Sequence, residues 1–325
     1  MRDTLLVTGS LGFIGANLVR ALNARGYDEL LLVDHLGTNE KWRNIRTLCF
    51  EEYLDRADFL PLIKEDHLAD KIKAVFHLGA CSSTTETDSS FLMENNYRYT
   101  KYLASWAVRH GIPMITASSA ATYGDGSLGY DDDDAATPNY LPLNMYGMSK
   151  HLFDKWALKN GLYKTPGFVG LKFFNVYGPY EDHKGDMRSV VWKSYHKIKE
   201  LGYTELFRSY RSEYGDGEQV RDFIYVDDVV RVMLYFFEHQ QLCGLYNCGT
   251  GTPRSWNDLA RAVFAALKLE PDIRYIDMPE HLQGKYQYHT CAKTDKLRKA
   301  GFAEPFTSLE DGVRDYVCNY LEKHC

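Results

Sequence analysis

The stretch Thr8-Gly9-Ser10-Leu11-Gly12-Phe13-Ile14-Gly15 decides how this chain is expected to fold. It follows a short apolar run that predicts a β-strand over Thr4–Thr8. Gly9 permits a tight turn, Gly12 lets the backbone approach a pyrophosphate, and Gly15 lets the following helix pack close to the strand. The first N–H groups of that helix would face the phosphates. These features predict a dinucleotide-binding turn at the start of the chain.

Short apolar runs alternate with longer amphipathic stretches up to Phe174. Strands are predicted at Thr4–Thr8, Leu30–Asp34, Ala74–Leu78, Met114–Ser118 and Phe168–Phe173. Helices are predicted at Ala16–Ala24, Asn96–His110, Arg188–Leu201 and Trp256–Leu267. The alternation predicts an α/β fold, a Rossmann-type doubly wound parallel sheet with a second, smaller α/β substrate domain. We expect the dinucleotide-binding domain over 1–174, with 222–248 returning to it, and a mainly substrate-binding, interleaved domain over 175–325.

The composition is that of an ordinary globular protein. The 325 residues are 45% hydrophobic, 14% aromatic and 25% charged, which excludes a wholly disordered or fibrous chain. The net charge of −6 lacks the positive excess of a dedicated nucleic-acid binder. No apolar run approaches the roughly 20 residues that span a bilayer, and the first residues predict no secretory signal. The seven cysteines form no zinc-type pattern, so we expect reduced thiols, no metal and a cytoplasmic protein.

Asp34 ends the second predicted strand, 19 residues after Gly15. A carboxylate there can accept hydrogen bonds from the adenosine ribose, which favours NAD. Lys41 and Arg43 follow closely and could meet a 2′-phosphate, which favours NADP. Position alone leaves both cofactors open.

The stretch Tyr146-Gly147-Met148-Ser149-Lys150 places a tyrosine and a lysine on one face of a helix. A free phenol has a pKa near 10 and is a poor base at neutral pH. A nearby ammonium and a positive nicotinamide would lower that pKa, and Lys150 could also hold the nicotinamide ribose. Taken alone, the pattern is more often a surface lysine beside a packed tyrosine.

Ser119 lies 27 residues before Tyr146, at the carboxyl end of a predicted strand, where open α/β sheets bind their ligands. Its hydroxyl could bond the reacting oxygen, or it could simply cap a turn. The glycine turn, Ser119, Tyr146 and Lys150 occur at elements where they can meet, and together they indicate hydride transfer at a carbinol carbon. They predict an enzyme in which Tyr146 handles the proton.

Two stretches are predicted to be loops. The segment 124–142 contains the run Asp131-Asp132-Asp133-Asp134, which we expect to be solvated surface rather than a binding site. The segment 209–219 is rich in Tyr, Ser, Gly and charged residues.

Several motifs point to a known family. The Gly-x-x-Gly-x-x-Gly turn, together with Tyr146 and Lys150, resembles the extended short-chain dehydrogenase/reductase family. Two stretches resemble the nucleotide-sugar epimerase and dehydratase branch of that family. They are Phe173-Phe174-Asn175-Val176-Tyr177-Gly178-Pro179 and Arg221-Asp222-Phe223-Ile224-Tyr225-Val226-Asp227-Asp228. More particular stretches are Gly79-Ala80-Cys81-Ser82-Ser83-Thr84-Thr85-Glu86, Asn144-Met145-Tyr146-Gly147-Met148-Ser149-Lys150, His183-Lys184-Gly185 and Gly284-Lys285-Tyr286-Gln287. Over nearly the whole chain, the combination closely resembles the ADP-L-glycero-D-manno-heptose 6-epimerases of lipopolysaccharide core biosynthesis.

This resemblance implies an activity and its partners. The family binds NADP, with NAD also possible here, and assembles as homo-oligomers. It inverts C6 of the heptose in ADP-D-glycero-D-manno-heptose by transient oxidation, and returns the hydride to the other face of the ketone. Two acid/base groups serve the two orientations, and Tyr146 and Lys184 match them.

The resemblance also implies site residues. Cofactor positions, beyond Gly9, Gly12 and Gly15, are Phe13, Ile14, Asp34, His35, Lys41, Arg56, Leu78, Gly79, Ala80, Cys81, Ser82, Asn95, Lys150 and Val176. Substrate positions are Ser119, Asn175, Asp186, Lys193, Arg221 and Tyr286. A guanidinium such as that of Arg221 can grip a diphosphate, or it can pair with a neighbouring Asp. His35, Arg56, Asp186 and the long segment Phe207–Gln219 depart from the family pattern.

Other functions remain open at this point. The nearest are a UDP-sugar 4-epimerase and a UDP- or dTDP-sugar 4,6-dehydratase. Such dehydratases carry an Asp-Glu pair where this chain has Ala120-Ala121, which weighs against them. A non-catalytic NADP sensor would not need Ser119, Tyr146 and Lys150 together.

Overall fold

A seven-stranded parallel sheet lies at the centre of the fold, in a computed structural model that describes residues 3–38, 40–280 and 286–324. Its strands are β1 (Thr4–Thr8), β2 (Leu30–Asp34), β3 (Glu52–Asp55), β4 (Ile72–His77), β5 (Met114–Ser119), β6 (Phe168–Phe173) and β11 (Gly244–Cys248). Their order is β3-β2-β1-β4-β5-β6-β11, and each neighbouring pair is parallel. This is a doubly wound sheet, so the predicted Rossmann-type fold is confirmed.

Smaller two-stranded sheets lie beside the main sheet. They pair β7 (Asn175–Tyr177) with β10 (Phe223–Tyr225), β8 (Thr204–Phe207) with β13 (Ile273–Ile276), and β9 (Val220–Arg221) with β12 (Arg254–Ser255).

Helices surround the sheets. The α-helices are α1 (Phe13–Ala24), α2 (Arg56–Lys64), α3 (Ser89–Leu92), α4 (Tyr99–Arg109), α5 (Met145–Lys159), α6 (Val190–Leu201), α7 (Val226–Glu238), α8 (Trp256–Leu267), α9 (Asp295–Lys299), α10 (Leu309–Asp315) and α11 (Glu322–His324). π-Helical segments, Met93–Arg98 and Tyr316–Leu321, join α3 to α4 and α10 to α11. Short 3₁₀ helices are found at Glu40–Ile45, Ala120–Tyr123, Thr137–Asn139, Leu162–Lys164 and Asp182–Met187. Among the described residues, no helix has both the length and the apolar character needed to cross a membrane.

The main sheet buries alternate side chains of each strand on its two faces. On β1, Leu5 and Val7 belong to an apolar core that includes α1 and α7. Leu6, between them, belongs to a second core with α2, α4 and α5. Covering both faces explains why the predicted strands are nearly continuous apolar runs. A third apolar cluster joins α6, α8 and α10 in the smaller part of the protein.

Element boundaries differ from the predicted ones in a few places. The strands β3 and β11 were not among those predicted, because β3 is a short, half-exposed edge strand and β11 begins with Gly244. β4 begins at Ile72 rather than Ala74. The helix α1 begins at Phe13, since the glycine turn itself supplies its first turn.

The strand order reverses between β1 and β4, and two glycines shape the crevice there. Gly9 has φ +67°, and a Cβ on it would lie 2.6 Å from the backbone nitrogen of Gly79, just after β4. A Cβ on Gly15 would lie 2.1 Å from the carbonyl oxygen of Gly9. Both distances are too short for a side chain, so only glycine allows these backbone segments to meet.

The acidic run Asp131–Asp134 corrects a prediction. Asp132 is 3% exposed, and its carboxylate accepts a hydrogen bond at 2.7 Å from the backbone N–H of Asn247 in β11. Lys293 and Lys296 form ion pairs with other carboxylates of the run. The prediction of a solvated run is therefore wrong for Asp132, because its carboxylate is held inside the protein by a backbone N–H of the edge strand β11.

Replacing Gly15 with alanine should destabilise the fold. We expect Gly15→Ala to lower the free energy of unfolding by about 2 kcal/mol, because the new Cβ would overlap the Gly9 carbonyl. Denaturant unfolding checks this. Gly12→Ala is the control, since its Cβ would lie 3.2 Å from the same oxygen. It should affect stability less and cofactor binding more. Equal unfolding midpoints for the two variants would contradict this account.

Candidate active site

A cavity of about 730 Å³ opens at the carboxyl ends of the main strands. Of the residues that the sequence predicts, it is lined by Gly9, Gly12, Phe13, Ile14, Gly15, Asp34, Lys41, Leu78, Gly79, Ala80, Cys81, Ser82, Ser119, Tyr146, Lys150, Asn175, Val176 and Lys184. Predicted residues that do not line it are His35, Arg56, Asn95, Asp186, Lys193, Arg221 and Tyr286. The cavity therefore brings together the glycine turn, the α5 helix and the loop of Lys184.

Asp34 is held from two sides at the end of β2. One carboxylate oxygen accepts the Leu11 N–H of the glycine turn at 2.8 Å. The other accepts the Lys41 ammonium at 2.9 Å. Asp34 thus fastens the turn to β2, and Lys41 balances its charge at the cavity wall. Arg43 is instead exposed and paired with Glu40.

Three predicted cofactor residues do not line the cavity. The His35 side chain is 72% exposed and lies 2.9 Å from a carboxylate oxygen of Asp55. Arg56 begins α2. Asn95 is buried and donates to the side chain of the next residue, Asn96, at 3.2 Å.

Asn96 was missed by the sequence analysis. Its side-chain amide accepts the N–H of Cys81 and donates to the Cys81 carbonyl, both at 2.9 Å. It also donates to the hydroxyl of Ser149 on α5 at 3.0 Å. This single side chain joins the cavity loop after β4 to the helix of Tyr146 and Lys150. Its contacts link positions far apart in the sequence, so no local pattern reveals them.

Ser119 and Tyr146 meet because α5 approaches the end of β5 closely. A Cβ on Gly147 would lie 2.6 Å from the carbonyl oxygen of Ala121, so glycine is needed within the Tyr-x-x-x-Lys stretch. Asn144 caps the helix by accepting the Gly147 N–H at 2.8 Å. The Ser119 hydroxyl lies near the phenol of Tyr146 and lowers its pKa. It also caps the turn after β5 by accepting the Ala121 N–H at 3.1 Å, and its bond to the reacting oxygen stays a prediction.

Burial governs the charges of Tyr146 and Lys150. Burial lowers the pKa of Lys150 to about 8, and its ammonium donates to the Ala117 carbonyl at 2.9 Å. Burial also raises the pKa of Tyr146, and the nearby Ser119 hydroxyl opposes the rise. The sequence predicted a phenol acidified by Lys150. Desolvation is the dominant influence on the phenol of the chain itself, and its acidification by Lys150 together with a nicotinamide stays a prediction.

Lys184 reaches the cavity from the 3₁₀ segment Asp182–Met187. Its ammonium lies 4.9 Å from the centre of the Phe13 ring at the start of α1. Burial lowers its pKa, and the nearby Glu181 opposes that shift. The sequence alone could not distinguish a surface charge from a cavity residue here. The structure places Lys184 in the cavity wall.

Arg221 is a buried cation among aromatic rings. It is 6% exposed, and its guanidinium lies 5.5 Å from the centre of the Trp256 ring and 5.0 Å from that of Tyr286. Within the described ranges it forms no ion pair with a carboxylate. The alternative partner, Asp222, instead accepts backbone N–H groups, including that of Thr250 at 2.7 Å. Arg221 is therefore available for an anion beside the cavity.

The other predicted substrate residues are spread around the cavity. Asn175 lines it and accepts a 3.5 Å hydrogen bond from Thr290. Asp186 and Lys193 are exposed, and the Lys193 ammonium donates to the Asp186 carbonyl at 2.7 Å. Tyr286 stacks on Arg221 as described above. Gly284 and Lys285 of the same motif lie outside the described residues.

Further cavity residues were not among the predicted site residues. They include His183, Arg188 and Trp256, which carry polar or large aromatic side chains. His183 was part of a quoted motif, whereas Arg188 and Trp256 carried no signal, because folding alone brings α6 and α8 to the cavity. Burial lowers the pKa of His183 to about 4, so its ring is neutral near pH 7.

Comparison with known proteins now adds to this geometry. Residues 5–249 match the model of the NAD dependent epimerase/dehydratase family. The chain belongs to this family. It is 52% identical over 316 residues to an ADP-L-glycero-D-manno-heptose-6-epimerase of Nitratidesulfovibrio vulgaris (strain DP4), covering 97% of both chains. It is 47% identical to an epimerase of the same name from Fusobacterium nucleatum subsp. nucleatum, covering 98% of both.

A solved structure agrees with these relatives. The crystal structure of Helicobacter pylori ADP-L-glycero-D-manno-heptose-6-epimerase has a TM-score of 0.82 and 27% identity to this chain, and the match covers 98% of this chain and 96% of that one. The resemblance that the motifs indicate is thus confirmed. The chain is an isomerase of the epimerase class that uses a nicotinamide cofactor.

The buried ammonium of Lys150 should make this site a source of instability. Between pH 8 and 10.5 the unfolded lysine binds more protons than the folded one, so raising the pH through this window should favour the folded protein. We expect Lys150→Met to be more stable than the wild type at pH 7, by about 2 kcal/mol, with the difference shrinking towards pH 10. Urea unfolding at several pH values measures this.

Lys155→Met serves as the control, because Lys155 lies on the same helix but is exposed. A constant stability difference across the pH range would contradict the assignment of the shift to Lys150.

Proposed function

We propose that this protein inverts C6 of the heptose in ADP-D-glycero-D-manno-heptose to give ADP-L-glycero-D-manno-heptose. One observation on this structure supports the proposal in addition to the similarity to known epimerases. Tyr146 and Lys184 reach the same cavity from different elements, α5 and the loop after β7. An epimerase must handle a proton in two orientations of its substrate, and two such groups facing one cavity suit that need.

The glycine turn, Asp34 and Lys41 would hold the dinucleotide, with its phosphates at the start of α1. The structure fits this cofactor, because a Cβ at Gly9 or Gly15 would overlap backbone at that place. When bound, the nicotinamide supplies an acceptor and then a donor of hydride. Lys150 lies in the cavity wall next to Tyr146 and would hold the nicotinamide ribose.

Proton transfer falls to this chain's own side chains. In one orientation of the substrate, the Tyr146 oxygen would exchange a proton with the C6 oxygen, with Ser119 bonded to both. In the other orientation the Lys184 nitrogen would do so. A lysine whose pKa is lowered by burial holds more of the neutral amine near pH 7, which is the form that accepts a proton.

NADP is the proposed cofactor, with NAD as the alternative. A carboxylate at the end of β2 repels a 2′-phosphate unless a cation offsets it. Here the Lys41 ammonium lies 2.9 Å from the Asp34 carboxylate and provides that offset. The nearby Arg56 adds a second positive charge at the start of α2.

Three further properties belong to this proposal. We infer that residues 1–174 and 222–248 form the cofactor domain, since β11 joins the main sheet and α7 packs on it. Residues 175–325 would mainly bind substrate. The family resemblance implies a homo-oligomer. We propose a cytoplasmic location because the cysteines within the described ranges are free thiols.

The test is an NMR time course of ADP-D-glycero-D-manno-heptose with purified protein in heavy water. We expect inversion at C6 without deuterium at that carbon, because the hydride stays on the bound cofactor. Deuterium in the product would favour a dehydratase, and accumulating NADPH would favour a net oxidoreductase. Tyr146→Phe should bind cofactor but lose turnover. Wild-type turnover in that variant would contradict the role of the phenol.

Arg221 should grip the substrate diphosphate. We expect Arg221→Met to raise KM about 10-fold or more and to change kcat little, because a charged hydrogen bond to a remote anion contributes about 1.5–3 kcal/mol. Steady-state kinetics measure this. Arg254→Met is the matched control, since Arg254 is the cross-strand neighbour of Arg221 but pairs with Glu310 and Asp258. An equal rise in KM in both variants would contradict the assignment.

A further inference from the structure

Glu181 is a fully buried carboxylate that the proposed reaction does not use. It is 0% exposed and lies three residues before Lys184. One carboxylate oxygen accepts the Ser189 N–H at 2.6 Å. The other accepts the Ser189 hydroxyl at 2.5 Å and the Tyr316 hydroxyl at 3.0 Å. Removing a carboxylate from water is unfavourable, so these bonds must offset a substantial desolvation penalty.

These bonds fasten both ends of the loop that carries Lys184. Ser189 caps α6, because its hydroxyl also accepts the Trp192 N–H at 3.2 Å. Tyr316 belongs to the π-helical segment near the end of the chain. The backbone carbonyl of Glu181 itself accepts the Lys184 N–H at 3.0 Å. The loop is thereby attached to α6 and to the carboxyl-terminal helices.

The neighbouring Asp182 strengthens the same attachment. Its carbonyl accepts the Arg188 guanidinium, and its carboxylate accepts the Trp192 indole N–H at 2.8 Å and the Tyr320 hydroxyl at 3.0 Å. Asp182 keeps the loop shape, but its carboxylate points to α6 and Tyr320. Glu181 differs because its backbone carbonyl accepts the Lys184 N–H at 3.0 Å and its carboxylate opposes the lowering of the Lys184 pKa by burial.

The charges around Lys184 leave Glu181 as its opposing group. The Lys184 ammonium forms no ion pair with a carboxylate inside the described ranges. Lys193 on α6 carries the same charge and lowers the pKa of Lys184 further, whereas Glu181 raises it. His183 is neutral near pH 7, and Phe13 offers only its ring face. The pKa of Lys184 is thus lowered by burial and by Lys193, and it is raised by Glu181.

We propose that Glu181 is a positioning residue for Lys184, which holds its loop against α6 and Tyr316 and serves as the counter-charge of its partly buried ammonium. The catalytic part of this inference rests on the proposed role of Lys184 as a base. The electrostatic part does not, because it concerns two side chains of this protein alone.

The first experiment therefore measures Lys184 without any substrate. Acetic anhydride labels neutral amines, and mass spectrometry of the folded protein reports each lysine separately across a pH series. In Glu181→Gln the labelling of Lys184 should begin at lower pH than in the wild type, because the ammonium loses its opposing charge. The exposed Lys193 is the internal reference. An unchanged Lys184 profile overturns the proposal.

The matched control is Asp228→Asn. Asp228 is also 0% exposed and accepts hydrogen bonds from the Thr307 N–H at 2.8 Å, the Thr307 hydroxyl at 2.9 Å and the Arg231 guanidinium, but it lies on α7. This variant should leave the Lys184 profile in place. An equal shift in both variants would show general loosening and overturn the proposal.

The second experiment is a double-mutant cycle on epimerisation. Glu181→Gln should lower kcat about 10-fold or more with little change in KM, since a small displacement of a reacting group is costly. In a Lys184→Met background the same change should have no further effect. A full loss in that background overturns the proposal. If Lys184→Met alone keeps wild-type activity, the base assignment of the proposed function fails, and the labelling result still decides the counter-charge.

Ser189→Ala covers the case in which Glu181→Gln does not fold. It removes one anchoring hydroxyl and leaves the carboxylate charge, so kcat should fall while the Lys184 labelling profile stays in place. Wild-type kcat in Ser189→Ala overturns the positioning role.

Discussion

Three pieces of backbone touch at the end of β1, and the geometry of the site depends on this contact. Gly9 lies against Gly79 after β4, and Gly15 in α1 lies against the carbonyl of Gly9. Because no side chain fits between them, the start of α1 is held directly over the reversal point of the sheet. Phe13 then faces the cavity, and Lys184 from a distant loop packs its ammonium over that ring. The turn therefore shapes both the cofactor crevice and the opposite wall.

The site concentrates buried positive charge in a chain of net charge −6. Lys150 and Arg221 are buried and Lys184 is partly buried, and inside the described ranges none of the three forms an ion pair with a carboxylate. Burial lowers the pKa of each. Unpaired buried cations destabilise a fold, but they favour anionic ligands and keep amines able to accept protons. A dinucleotide and a nucleotide diphosphate sugar would supply the missing negative charge.

Sequence patterns predicted what depends on neighbours along the chain. The glycine turn follows from spacing, and the Tyr146–Lys150 pair from helical periodicity. The roles of Lys184 and Arg221 came from family resemblance, because one side chain in a loop carries no period. Asn96 and Glu181 escaped notice for another reason. Their amide and carboxylate groups bond to partners such as Ser149 and Tyr316, which only folding brings near.

By itself, the sequence determined the parallel sheet and the dinucleotide turn, because backbone conformation and hydrophobic periodicity are local properties. Its motifs indicated the epimerase family by resemblance. The tertiary structure alone decided that Asp132 is buried, that Tyr146 and Lys184 share one cavity, and that Arg221 has no acidic partner among the described residues. It also showed that burial raises the pKa of the Tyr146 phenol. Desolvation depends on every segment packed around a group, and a linear pattern does not contain that information.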